Sequence, residues 1–218
     1  MSELVLLSNP RVAALPADEC GEPLVDLRTI DELTLDTRQA DQTGAYVHLR
    51  AGVAERLLVA QGLLPTGLKL LIVEGYRPLW LQERYFEEYA NALHEDNPTW
   101  SEAELRTQAS RYISPPEIAP HVSGAAIDLT LCTESGEELA MGTEVNASPE
   151  ESNNACYTDA TTISPLAKYN RRILIHAMRT AGLVNYPTEW WHWSYGDRYW
   201  AMLTDAPAAL YGPQELDL

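Results

Sequence analysis

Basic residues are scarce in this chain. Its 218 residues carry 15 Lys and Arg against 32 Asp and Glu, a formal net charge of -17, and no basic cluster interrupts the acidity. Phosphate backbones and anionic membrane surfaces are repelled by such a balance, which argues against nucleic acid as a partner. Cysteine is scarcer still: Cys20, Cys132 and Cys156 are odd in number and show no close C-x-x-C spacing. Neither a disulfide framework nor a thiolate zinc site is expected from them. No stretch approaches the roughly 18 uninterrupted apolar residues of a membrane span. The opening "MSELVLLSNP" has no positive charge ahead of a four-residue apolar run, too short for a signal peptide's hydrophobic segment. A cytoplasmic protein is expected. Internal repeats, low-complexity segments and the H-E-x-x-H zinc motif are all missing.

What is present is the composition of an ordinary folded protein, with 45% apolar residues, and a length that suits one domain spanning 1–218. Residues 1–44 are rich in Asp, Pro and Thr and read as irregular structure or edge strands. "GAYVHLR" reads as a short strand, and "AGVAERLLVAQGLL" as a helix ended by Pro65. "LKLLIV" is a buried strand that closes at Gly75, leaving Glu74, Tyr76 and Arg77 at its end. Pro78 suits the opening of the next helix. Ser101 and Glu104 form an S-x-x-E cap for a further one, stopped by Pro115 and Pro116. "AAIDLTLC" is a strand, and "TESGEE" a turn into "LAMG". Residues 142–163 have no periodicity, and a connection of that length in a compact domain suggests a functional loop such as a lid. Ser164 and Pro165 start a late helix that Gly182 closes, and "YPTEWWHWSYG" is strand-like. This order of elements predicts an α+β fold with helices packed on one side of a mainly antiparallel sheet.

Five histidines are available for chemistry. His176, in the apolar helix "RILIHAMRTAGL", reads as a packed core residue, His94 as solvated, and His48 as lacking an acidic partner. His121 and His192 remain. His121 opens "HVSGAAIDLTL", in which Asp128 sits between Ile127 and Leu129. A carboxylate in such a strand either caps backbone N–H groups or is compensated by a cation held jointly with His121. In "EWWHW", Glu189 and His192 would share a face on a helix but point to opposite faces of a regular strand. A shared site there calls for a bulge or a twisted strand end. His121, Asp128 and His192 together make a His2Asp set suited to zinc, with a fourth position left for water. Glu189 is then the spare carboxylate for general-base work. Arg77 is either a surface arginine paired with local acids or a fixed cation for a developing oxyanion.

Three motifs in the same order, "EGYRP" at 74–78, "HVSGAAIDLTL" at 121–131 and "EWWHW" at 189–193, resemble the VanX-like D-alanyl-D-alanine dipeptidases. These are a branch of the M15 zinc peptidases, which share a fold with D,D-carboxypeptidases and the hedgehog signalling domain. The similarity runs from about Gly44 to Trp193, including Met141-Gly142 and the "NRR" of the late helix. It implies one zinc ion on His121, Asp128 and His192, Glu189 as catalytic base, Arg77 as transition-state stabiliser, and a small peptide substrate, D-Ala-D-Ala. Two departures stand out. Ala119 occupies the Ser position of the family's S-x-H, and Asn146 stands where an Asp commonly holds the substrate's ammonium. These leave open a related zinc D,D- or L,D-peptidase or carboxypeptidase acting on another small or murein peptide. A zinc-binding module without turnover is the reading of another class.

Overall fold

Two runs apolar enough to be buried on both faces, Leu68–Glu74 and Ala126–Thr133, pair at the centre of the sheet. In the computed structural model, which describes residues 4–41 and 43–216, the strands are β1 (Leu24–Asp26), β2 (Thr34–Leu35), β3 (His48–Arg50), β4 (Leu68–Glu74), β5 (Ala126–Thr133), β6 (Val184–Asn185) and β7 (His192–Ser194). The helices are α1 (Pro10–Ala13), α2 (Ala51–Gly62), α3 (Leu79–Asp96), α4 (Glu102–Ala109), α5 (Pro165–Thr180) and α6 (Arg198–Leu203). The main sheet has the order β2-β4-β5-β7-β6. Only the edge pair β2–β4 is parallel. β1 and β3 form a separate antiparallel pair. The fold is α+β.

Local signals set the helix ends. The Ser101 hydroxyl accepts from the Glu104 N–H and the Glu104 carboxylate accepts from the Ser101 N–H, so two otherwise unpaired donors of α4 are satisfied reciprocally. Ser164 caps α5 by accepting from the Ala167 N–H, with Pro165 in the first turn. The 3.6-residue period of α5 turns Ala167, Leu174, Ala177 and Met178 inward. Leu174, Ala177 and Met178 join Val53 and Leu57 of α2 in one cluster with Ile127, Leu129 and Leu131, each buried Val, Leu, Ile or Met contributing on the order of 1.5–3 kcal/mol.

Helices flank both faces of the sheet rather than one. α3 stands across a cleft from the opposite face, because the alternation of β5 turns Asp128 away from the apolar layer and towards Tyr85 and Tyr89 of α3. Two further expectations are corrected. Residues 45–47 form a 3-10 turn, so the strand there is only His48–Arg50. The turn after β5 leads to a single bridge, Cys132 to Glu138. His176 is exposed, since the period that buries Ala177 and Met178 turns it outward.

Residues 142–163 contain turns but neither helix nor strand. Hydrogen bonds tie this connection to the body of the protein. The buried Arg171 donates to the carbonyls of Met141, Ala155 and Tyr157 at 2.7, 2.8 and 2.6 Å. Asn170 donates to Ala140 O at 2.9 Å. Arg111 and Tyr89 both reach Glu150.

Candidate active site and metal centre

The site is one transverse row of the sheet. Glu74 of β4 lies opposite Asp128 of β5, and Asp128 lies opposite His192 of β7. Directly opposed residues share a face, so three adjacent strands present three polar groups to the same cleft.

His121 is delivered from the 3-10 turn Pro120–Ser123. That turn ends at Gly124, whose φ of +66° is readily adopted only without a side chain, and where a Cβ would meet Leu24 Cδ2 at 2.3 Å. Gly75, at the end of β4, is small for a different reason: a Cβ there would meet His48 O at 2.5 Å. This close approach positions the Gly75 carbonyl 2.6 Å from His121 Nδ1. A carbonyl only accepts, so Nδ1 carries the proton and the Nε2 lone pair is aimed at Asp128 and His192.

Glu189 and His192 meet neither through a bulge nor through a strand twist. A tight turn does it, closed by His192 N–H to Glu189 O at 3.3 Å. Asn185 holds the turn by donating to both the Glu189 and the His192 carbonyls at 2.9 Å. The turn places Glu189 Oε2 3.7 Å from His192 Nδ1.

His121 Nε2, Asp128 and His192 Nδ1 converge. The separations are 3.2 Å between the two ring nitrogens, 3.0 Å from His192 Nδ1 to Asp128 Oδ1 and 3.4 Å from His121 Nε2 to Asp128 Oδ2. Donors at about 2.0–2.1 Å from a tetrahedral ion stand roughly 3.3 Å apart, so this triangle fits zinc. The Gly75 carbonyl supplies the outer hydrogen bond that would fix His121 as a metal ligand. All three side chains are buried. Glu189 is a separate carboxylate beside them.

Electrostatics separate the two carboxylates. Burial pushes Asp128 up, but the facing His121 and His192 outweigh it and hold the carboxyl well below its ordinary range. Burial, reinforced by the charge of Asp128 and only partly offset by Arg77, pushes Glu189 well above it. Burial also lowers His192, against the pull of Asp128. Arg77 is a buried residue, not a surface one. Burial disfavours its charge, yet Glu74 overrides that and raises its basicity.

The five residues singled out in the sequence, Arg77, His121, Asp128, Glu189 and His192, line a single cavity of about 420 Å³, and Asn146 lines it too. Ala119 lines a different depression, with Asp197 and Arg198. Sequence reading missed Glu74, Gln82 and the aromatic wall of Tyr85, Tyr89 and Tyr112. A charged residue at the end of an apolar strand was the available signal for Glu74.

The family model of the M15 peptidases, described as D-Ala-D-Ala dipeptidase, matches residues 29–207. The chain belongs to this family and is a peptidase. It is 28% identical over 228 residues to a D-alanyl-D-alanine dipeptidase of Synechocystis sp., covering 86% of this chain and 87% of that protein. It is also 28% identical over 183 residues to a D-alanyl-D-alanine dipeptidase of Escherichia coli, covering 78% of this chain and 82% of that protein. Among solved structures, a mutant of the vancomycin resistance D,D-pentapeptidase VanY in complex with Zn(II) aligns over 90% of both chains, with a TM-score of 0.46 and 14% identity.

Proposed function

We propose that this peptidase hydrolyses D-Ala-D-Ala to two D-alanines in the cytoplasm, using one zinc ion held by His121, Asp128 and His192. The observation that carries the reading is the convergence of those three donors in a cleft that also holds Glu189 and Arg77. Zinc held by His121, Asp128 and His192 would supply Lewis acidity for the scissile carbonyl and acidify the attacking water. Glu189 takes the proton from the attacking water and delivers it to the leaving amine as the C–N bond breaks. Arg77 donates N–H groups to the oxyanion that develops as the carbonyl carbon becomes tetrahedral. A cavity of about 420 Å³ lies at the small end of ligand pockets, in keeping with a dipeptide.

Asn146 favours a second reading. It lines the cavity without the charge that would pair with a free ammonium, so a related small murein peptide is the alternative substrate.

The test is D-alanine release from D-Ala-D-Ala by zinc-loaded protein, with L-Ala-L-Ala as control and Glu189→Ala alongside. Release from the D,D-dipeptide alone, falling by about 10³-fold or more in Glu189→Ala at unchanged zinc content, is expected. Equal rates in that variant would refute Glu189 as base. Zinc binding without release moves the substrate to another peptide.

A further inference from the structure

β4 meets β5 in regular register from Leu68 to Ile72 and then slips: Ile72 lies opposite Leu129, whereas Glu74 lies opposite Asp128, with Val73 the extra residue of a bulge. Without that slip Glu74 would oppose Ile127, on the face packed against α2 and α5, where its carboxylate would be buried among apolar groups. The bulge turns Glu74 into the cleft instead.

There Glu74 is only 4% exposed and grips Arg77 with both oxygens, Oε1 on Nε at 2.8 Å and Oε2 on Nη2 at 2.5 Å. From the other side Gln82, fully buried in the first turn of α3, accepts from Arg77 Nη1 at 2.8 Å. The Gln82 amide is fixed in turn by donating to Ser114 O at 2.7 Å. A guanidinium has five N–H donors in a rigid plane. Glu74 and Gln82 take three of them, and two are left for the cleft.

We propose that Glu74 and Gln82 are positioning residues for the reaction, holding the Arg77 guanidinium in the one orientation from which its remaining N–H groups meet the tetrahedral oxyanion. The proposal rests on the role given to Arg77 above. Released from this clamp, Arg77 shares a cavity with three other carboxylates, Glu88, Asp128 and Glu189, and is free to turn towards them. The bidentate grip also requires arginine, since an ammonium offers no planar fork.

The test is a double-mutant cycle of Glu74→Gln and Arg77→Ala in the zinc-loaded protein. It reads kcat and KM for D-Ala-D-Ala, zinc content, and affinity for a phosphinate analogue of the dipeptide that mimics the tetrahedral state. Glu74→Gln is expected to lower kcat by about 10²-fold with a smaller change in KM. It should weaken the phosphinate by the same factor as kcat/KM and do almost nothing further once Arg77 is alanine. Gln82→Met, nearly isosteric, serves as the second probe and is expected to show the same non-additivity with a smaller loss. If Glu74→Gln does not fold, this cycle alone decides. The proposal is overturned if the loss recurs at full size in the Arg77→Ala background, or if phosphinate affinity is unchanged. Full activity in Arg77→Ala would instead remove the role of Arg77 itself; an impaired Arg77→Ala beside unimpaired clamp variants overturns the positioning alone.

Discussion

Asn146 and His192 carry the sharpest consequences at the scale of single residues. Asn146 has φ +64°, a conformation that Asn and Asp both tolerate, so Asn146→Asp alters charge with little backbone cost. A charge-assisted hydrogen bond to an ammonium is roughly twice as strong as a neutral one. Asn146→Asp is therefore expected to lower KM for D-Ala-D-Ala with kcat little changed, as steady-state kinetics will report; an unchanged KM would place the amine elsewhere. His192 must be neutral to bind a metal. Burial lowers its pKa, so protonation competes with zinc only at more acidic pH than for an ordinary imidazole. Titration of the His192 ring, followed by NMR in the zinc-free protein, should therefore show a midpoint below the ordinary histidine value of about 6.5. A midpoint at or above that value would contradict this.

At the scale of elements, the 3-10 turn Pro120–Ser123 and the end of β4 act together, because the Gly75 carbonyl orients the ring that the turn delivers. Gly124→Ala tests how tightly that turn is set. The left-handed conformation costs a side chain about 1–2 kcal/mol, and the new Cβ would also meet Leu24 at 2.3 Å. Gly136→Ala is the control, at φ +84° but with nothing within 4 Å. Gly124→Ala should lose more stability than Gly136→Ala in thermal unfolding, and it alone should weaken zinc binding. Equal losses would mean that the clash is absorbed without moving His121. The "NRR" segment finds its physical reason at this scale too: Asn170 and Arg171 satisfy the carbonyls of a long connection that has no ladder of its own.

At the scale of the whole molecule, Arg50 joins parts that are far apart in sequence. It is fully buried, and it donates to Ser123 O beside the site, to Glu22 O and Glu19 in the N-terminal segment, and to Gly212 O near the other end. Arg50→Met leaves these acceptors unpaired and should cost about 3 kcal/mol, measured by denaturant unfolding. Burial pushes the partner Glu19 up, but hydrogen bonds from the Gly212 and Gly21 N–H groups and from Arg50 outweigh it and lower its pKa. A depressed carboxyl stabilises above its unfolded pKa, about 4.3, and the contribution is lost as pH falls through the folded value. Glu19→Gln should therefore flatten the loss of stability on acidification below about pH 4.5, and an unchanged acid profile would refute the linkage.

The sequence by itself singled out the residues that the fold gathers into one cleft. His121, Asp128 and His192 stood out as a candidate ligand set, with Glu189 beside them, because imidazoles and carboxylates set in apolar or aromatic runs are costly unless something pairs with them; Arg77 was carried by the family resemblance, since an arginine at a strand end reads equally as a surface residue. The caps at Ser101 and Ser164 were legible because capping is local. Tertiary structure alone decided the rest. The slip in register at Val73 moved Glu74 from the apolar face into the cleft, and the turn held by Asn185 brought Glu189 round to His192. The placing of α3 across the site was decided in the same way as the register slip. Both depend on which chain segment lies opposite another, a relation between residues tens of positions apart that no local pattern encodes.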